Sequence, residues 1–199
     1  MDKSFFKTDS FFNAACYFEA SLAIVALVIG WLTDINPFQS LHFSESAIAY
    51  GIVGTLPLFL LFLAMEQWQH PSVTNIREFL LKTLGPGLNR YHWTDLLILA
   101  AIAGIAEELL FRGVLQPWLE SHLGKTAALI GSNLLFGLAH AVTPLYALLA
   151  GLVGWYLAYA MDYSGERNLL TPIIIHGLYD FLAFVALMRV YRAGLETKN

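Results

Sequence analysis

Charge is what this sequence most lacks. Only 13% of its 199 residues are Asp, Glu, Lys or Arg, about half of the ~25% usual in a soluble domain, and 57% are hydrophobic. That shortage argues against a water-soluble domain. A basic excess is missing as well: the net charge of −4 offers no electropositive face, so nucleic acid is not an expected partner. The single cysteine, Cys16, has nothing to pair with inside the chain, and is expected as apolar filler. The apolar residues come in long blocks, without the alternation that marks outer-membrane barrel strands. The start, MDKSFFKTDSFF, carries no small-residue cleavage site, so the first apolar run is expected to remain as an anchor. No internal repeat, low-complexity tract or long linker divides the chain, and one integral membrane domain is expected over residues 1–199.

What the sequence does hold is helical membrane patterning. A helix needs about 20 mostly apolar residues to cross a bilayer, and six stretches qualify: about 11–32, 46–65, 95–117, 126–141, 144–161 and 169–188. The fourth and fifth are short and almost touch at Thr143-Pro144, which predicts a tight hairpin whose turn lies within the membrane and is buried by protein. In SVTNIREFLLKTLGPG, residues Ile76, Phe79, Leu80 and Leu84 repeat at helical spacing between charges, and Gly85-Pro86 supplies a stop. This segment reads as a helix at the interface or as a cytosolic connector, with Trp68, Tyr91 and Trp93 as interfacial belt residues. The expected fold is thus all-α: a polytopic membrane bundle of about six transmembrane helices plus one interfacial amphipathic helix. A cytoplasmic N-terminus puts Lys3, Lys7, Arg77, Lys82, Arg90, Arg189, Arg192 and Lys198 inside, against only Lys125 and Arg167 outside. The positive-inside rule then places both termini in the cytoplasm.

Ionisable residues within membrane spans cost about 2.5–3.5 kcal/mol each even on lenient insertion scales, and so signal function. Here they are Glu19, Glu107, Glu108, Arg112, His140, His176 and Asp180, whereas His42, His70, His92 and His122 fall in loops or interfaces. Glu108 and Arg112 stand i, i+4 with the acid first, the better order for a helical ion pair. Glu107 is turned by about 100° from Glu108 and about 140° from Arg112, so it must find another partner. Glu108 therefore reads as structural and Glu107 as free for chemistry, facing His140 and His176 across the bundle. His176 and Asp180 again share one helical face; the acid can orient the imidazole, or both can ligate one metal. His140 ends the stretch FGLAH, with Phe136 one turn earlier. Alone it reads as a core histidine, but with Glu107, His176 and Asp180 on separate helices convergence is the better explanation. Glu19 sits where it can join this set or reach the interface.

These residues carry a resemblance. EELLFRG at 107–113 resembles the EExxxR motif of the CPBP intramembrane proteases, the family of the CAAX prenyl endopeptidase Rce1 and its bacterial relatives. FGLAH at 136–140 is similar to its FxxxH motif, and HGLYD at 176–180 to its HxxxN motif, with aspartate replacing the usual asparagine. The three occur in the family's order over about residues 95–188. The resemblance implies an active site within the bilayer in which Glu107 and His140 activate water, His176 and Asp180 complete the site, and Glu108 and Arg112 maintain it.

Hydrolysis of a peptide bond needs a base for water, a stabiliser of the oxyanion and an acid for the leaving amine. The expected roles are Glu107 with His140 as base and His176 with Asp180 as oxyanion stabiliser. A metal-assisted route, with a divalent ion such as zinc on some of Glu107, His140, His176 and Asp180, stays open at this level. Depth poses a difficulty, because these spans put His140 near the cytoplasmic end and Glu107 roughly 20 Å in. Tilt, a re-entrant turn at Thr143-Pro144 or different boundaries must close that gap. The expected substrate is a membrane-associated protein or peptide. The small chain and its charge bias point to a multi-pass protein of a bacterial inner membrane. A proton-coupled transporter and an inactive membrane scaffold are the rival readings; the first would more often carry inverted repeats and paired broken helices.

Overall fold

A computed structural model describes residues 3–163 and 165–197, with side chains from residue 11 onward. Lys198 of the charge argument lies outside the described residues, as do the side chains of Lys3 and Lys7. The elements are α1 (Lys3–Thr33), α2 (Glu45–Gln67), α3 (Pro71–Leu88), α4 (Trp93–Leu110), a π-helical turn (Phe111–Leu115), α5 (Gln116–Leu123), α6 (Lys125–Ala139), α7 (Pro144–Asp162) and α8 (Leu170–Glu196). No strand occurs among the described residues, so the all-α expectation stands.

Four helical segments are long and apolar enough to cross a membrane: Phe11–Thr33, Glu45–Gln67, Pro144–Asp162 and Leu170–Glu196. α4 falls short because it carries Asp95, Glu107 and Glu108 within 18 residues, and α6 because it has only 15. By length and composition, then, the helices support four spans and not the six expected.

The shortness of α6 removes the depth difficulty. Fifteen residues rise about 22 Å, less than the roughly 30 Å of hydrocarbon. His140 is the C-cap of α6, and its Nε2 lies 3.6 Å from Glu107 Oε2. The helices α6 and α7 form the expected hairpin, tied at its open end by Lys125 Nζ–Asp162 Oδ2 at 3.2 Å. At its tip the Thr143 hydroxyl caps α7 by accepting from Tyr146 N. The tip is only partly covered, with Ala141 and Val142 exposed and Thr143 half-buried, so the expectation of a turn fully buried by protein is not met.

The helix α3 runs on through Gly85-Pro86 to Leu88, three residues past the expected stop. Tertiary packing overrides the local breakers: a Cβ at Gly85 would lie 2.2 Å from the Tyr191 ring, and one at Gly87 would lie 2.2 Å from the Phe11 ring. Of the expected apolar face, Ile76 is buried, Leu80 and Leu84 are half-buried, and Phe79 points outward.

The apolar core is divided. One block gathers Leu96 and Leu99 of α4, Leu187 and Met188 of α8 and Leu88 of α3, with Phe12, Ala15 and Cys16 of α1 against it. A second gathers Leu109 and Leu110 of α4, Phe136 of α6, Met161 of α7 and Ala26 of α1, flanked by Leu22 and Ile173; beside these two larger blocks, Leu58 of α2, Leu157 of α7 and Ile175 of α8 form a small third. Glu107, His176 and Asp180 fall between the two blocks along their helices. At this level α4 and α8 approach closely: a Cβ on Gly104 would meet Gly177 N at 2.7 Å. Small residues let membrane helices touch backbone to backbone, and here the contact puts the residue after Gly104's next turn, Glu108, opposite His176.

Candidate active site

The site begins on α4, one turn beyond that crossing. Glu108 is fully buried, and its Oε1 accepts from Arg112 Nη1 at 2.8 Å, the i, i+4 pair that the spacing predicted. Arg112 lies in the π-helical turn that ends α4, a distortion that recurs at functional sites. Its Nη2 donates to Gly154 O of α7 at 2.7 Å and to Asn133 Oδ1 of α6 at 3.3 Å. The guanidinium lies over the Phe136 ring, 4.5 Å from its centroid. One arginine thereby ties α4, α6 and α7 together. That convergence needs another close approach, since a Cβ on Gly137 would meet Ala147 O at 2.6 Å.

The same Glu108 Oε1 lies 2.8 Å from His176 Nδ1. The carboxylate is accepting from Arg112, so Nδ1 is the donor and Nε2 is left to face Asp180 Oδ2 at 3.6 Å. His176 therefore belongs to Glu108 and not to Glu107, which differs from the sequence expectation. Glu107 turns the other way, toward His140. His140 Nδ1 lies 2.8 Å from Phe136 O; a carbonyl can only accept, so the proton sits on Nδ1 and Nε2 is turned to Glu107. Phe136 packs between the two histidines, stacked on His140 with centroids 4.6 Å apart and edge-on to His176 at 6.0 Å.

Glu107, Glu108, Arg112, Phe136, His140, His176 and Asp180 are thus one constellation, arranged as two acid–histidine pairs around an aromatic ring. Sequence reasoning missed three contributors. Asn133 and Tyr146 are polar residues inside apolar helices, a signal passed over because only ionisable groups were weighed; Gly154 acts through its carbonyl and leaves no sequence signal. The constellation opens on a cavity of about 370 Å³, within the range of small-ligand pockets. His140, His176, Asp180, Tyr146 and Tyr179 are its polar groups at the constellation, Glu66 of α2 and Arg77 of α3 also line it, and the rest of the wall from α2, α3, α7 and α8 is apolar.

The residues do not fit a metal as arranged. Among the described residues no group of three or more His, Cys, Asp or Glu side chains stands close enough together to hold a metal ion.

Residues 89–182 match the family model described as type II CAAX prenyl endopeptidase Rce1-like. The matched stretch contains every member of the constellation. No curated protein and no solved structure matches the chain.

Proposed function

From a chain that carries a domain of the Rce1-like family over residues 89–182, we propose an intramembrane endopeptidase that hydrolyses a peptide bond of a membrane-associated protein or peptide. The family is a protease family, and the four long apolar helices make this an integral membrane protein. The observation that carries the reading is the double acid–histidine pairing whose histidines line the cavity: Glu107–His140 at 3.6 Å and Glu108–His176 at 2.8 Å.

In this reading the first pair is the base. The 3.6 Å gap between Glu107 Oε2 and His140 Nε2 is too long for a hydrogen bond and accommodates the edge of a water held by both. Glu107 takes a proton from that water as its oxygen attacks the substrate carbonyl carbon. The second pair is the electrophile. With Nδ1–H held by Glu108 and Asp180 standing 3.6 Å from Nε2 to orient the ring, a proton on Nε2 is offered to the oxyanion. The tetrahedral intermediate collapses as Glu107 returns its proton to the leaving amine, so the proton from water ends on the product. Fixed donors aimed at developing charge in a dry site are worth more than the same donors in water.

The experiment is cleavage of an internally quenched prenylated CAAX peptide by the purified protein in liposomes. Wild type should cleave it, and Glu107→Gln should abolish cleavage while leaving the unfolding temperature unchanged. Undiminished cleavage by Glu107→Gln would sink the assignment. If the peptide is inert, the proteins that accumulate uncleaved in cells carrying Glu107→Ala identify the substrate.

A further inference from the structure

Of the intramembrane ionisable residues singled out in the sequence, Glu19 is the one that the constellation does not use. On α1 it stands between Cys16, which packs on one core block, and Leu22, which packs on the other. Glu107 on α4 and His176 and Asp180 on α8 occupy the same gap between the blocks. Its position along the bundle is therefore the level of the site, and its side chain faces inward with Ala15, Leu22 and Ala26. The titratable groups that act on it across the bundle are Glu107 from α4 and Asp180 and His176 from α8, and the Cys16 thiol neighbours it on its own helix.

A second observation is independent of that placement. Glu19 Oε2 and Glu107 Oε2 are both buried, and neither has a hydrogen-bond partner. A buried carboxylate oxygen left bare costs free energy, and native proteins pair such atoms with protein or with ordered water. Two bare acceptors at one level of the bundle cannot satisfy each other, whereas one water, with two protons, can satisfy both.

We propose that Glu19 is a positioning residue of the site: it holds one ordered water against Glu107 and so fixes the carboxylate that faces His140. The inference rests on the proteolytic reading for its kinetic consequence but not for the water itself. Glu19 touches no substrate in this scheme. It restricts the rotation of Glu107, whose Oε2 is otherwise faced by His140 Nε2 at 3.6 Å.

Two measurements test it. The first is an experimental structure of the protein in nanodiscs at a resolution that shows water. Density within hydrogen-bond reach of both Glu19 and Glu107 is expected in wild type and is expected to be lost in Glu19→Leu. Direct contact between the two carboxyl groups, or no density between them, overturns the proposal whether or not the protein is a protease. The second is kinetics on the quenched prenylated peptide. Glu19→Gln keeps a polar end that can hold the water and should stay within about threefold of wild type. Glu19→Leu should lose about 100-fold in kcat, the cost of a misplaced catalytic group, with KM within twofold and an unchanged unfolding temperature. Full activity in Glu19→Leu, or an equal loss in both variants with a lowered unfolding temperature, overturns the positioning role. Absence of cleavage by wild type overturns the proteolytic reading alone and leaves the density to decide.

Discussion

His176 Nδ1 lies 2.8 Å from Glu108 Oε1, on the very oxygen that also receives Arg112 Nη1. One buried carboxylate oxygen thus neutralises the arginine that ties three helices and orients a histidine of the site. The two adjacent glutamates should therefore separate sharply by mutation. Glu108→Gln leaves Arg112 buried without its counter-charge, which costs about 3–5 kcal/mol, and frees His176 to rotate. It should lower both the unfolding temperature and the activity. Glu107 makes no such bond, so Glu107→Gln should lower activity only. Thermal unfolding and peptide cleavage measured on both variants check this; equal destabilisation would refute it.

Arg112→Ala tests the same assembly from the other side. The guanidinium holds Glu108, Gly154 and Asn133 and covers Phe136, so its loss should impair folding and cleavage together. Arg112→Lys should rescue poorly, because a single ammonium cannot reproduce the planar fork that reaches three partners.

Asp180 occupies the place where the HxxxN motif that HGLYD resembles carries asparagine. It lies 3.6 Å from His176 Nε2, close enough to orient the ring but too far for a direct hydrogen bond. Asparagine can serve that orienting role without charge. Asp180→Asn should therefore keep cleavage within about tenfold, and Asp180→Leu should lose about 100-fold, the usual effect of disturbing one oxyanion donor. A complete loss in Asp180→Asn would assign the aspartate's charge a role that geometry alone does not give it.

Helical arithmetic alone separates Glu107 from Glu108 and pairs Glu108 with Arg112, because both statements depend on neighbours within five residues. The partnership of Glu108 with His176 lies 68 residues apart in sequence and depends on how α8 is rotated against α4. Nothing local encodes that rotation; the close approach at Gly104 and Gly177 does. The stop expected at Gly85-Pro86 failed for a related reason: glycine there serves as room for the Tyr191 ring, a tertiary demand that resembles a breaker when read alone. The expected six spans are not confirmed at α4 and α6, where three acids in α4 and the 15-residue length of α6 keep both short of a long apolar helix.

Gly104 should accordingly be intolerant of substitution although it touches no site residue. A Cβ there meets backbone, Gly177 N at 2.7 Å, and backbone cannot rotate away as a side chain can. Gly104→Ala should cost about 1–3 kcal/mol through overpacking and should push α8 from α4, lengthening the Glu108–His176 bond and reducing cleavage. Ala103→Gly, on the neighbouring turn face, controls for helix propensity alone. Equal activity in wild type and Gly104→Ala would show that the crossing has slack.

At the opposite end of α5 the chain is held by charge. Arg167 donates through Nη1 and Nη2 to the two Glu120 oxygens at 2.8 and 3.0 Å, and through Nε to Asp162 Oδ1 at 3.0 Å. This clasp joins the loop before α8 to α5 and α7, beyond the expected span 95–117. Burial acts to raise the Glu120 carboxyl, but hydrogen bonds from Arg167 and Gln116 outweigh it and hold the group below its ordinary value. A depressed carboxylate contributes stability that is fully present above its unfolded value, about 4.3, and is lost as pH falls through the folded value. Arg167→Ala should therefore destabilise by about 1 kcal/mol near neutral pH. The gap between variant and wild type should persist down to about pH 5 and close below about pH 4. Unfolding temperatures of both proteins across that range decide it: a gap that stays constant into the acid range would mean that Arg167 stabilises the loop by packing and not through the carboxylate.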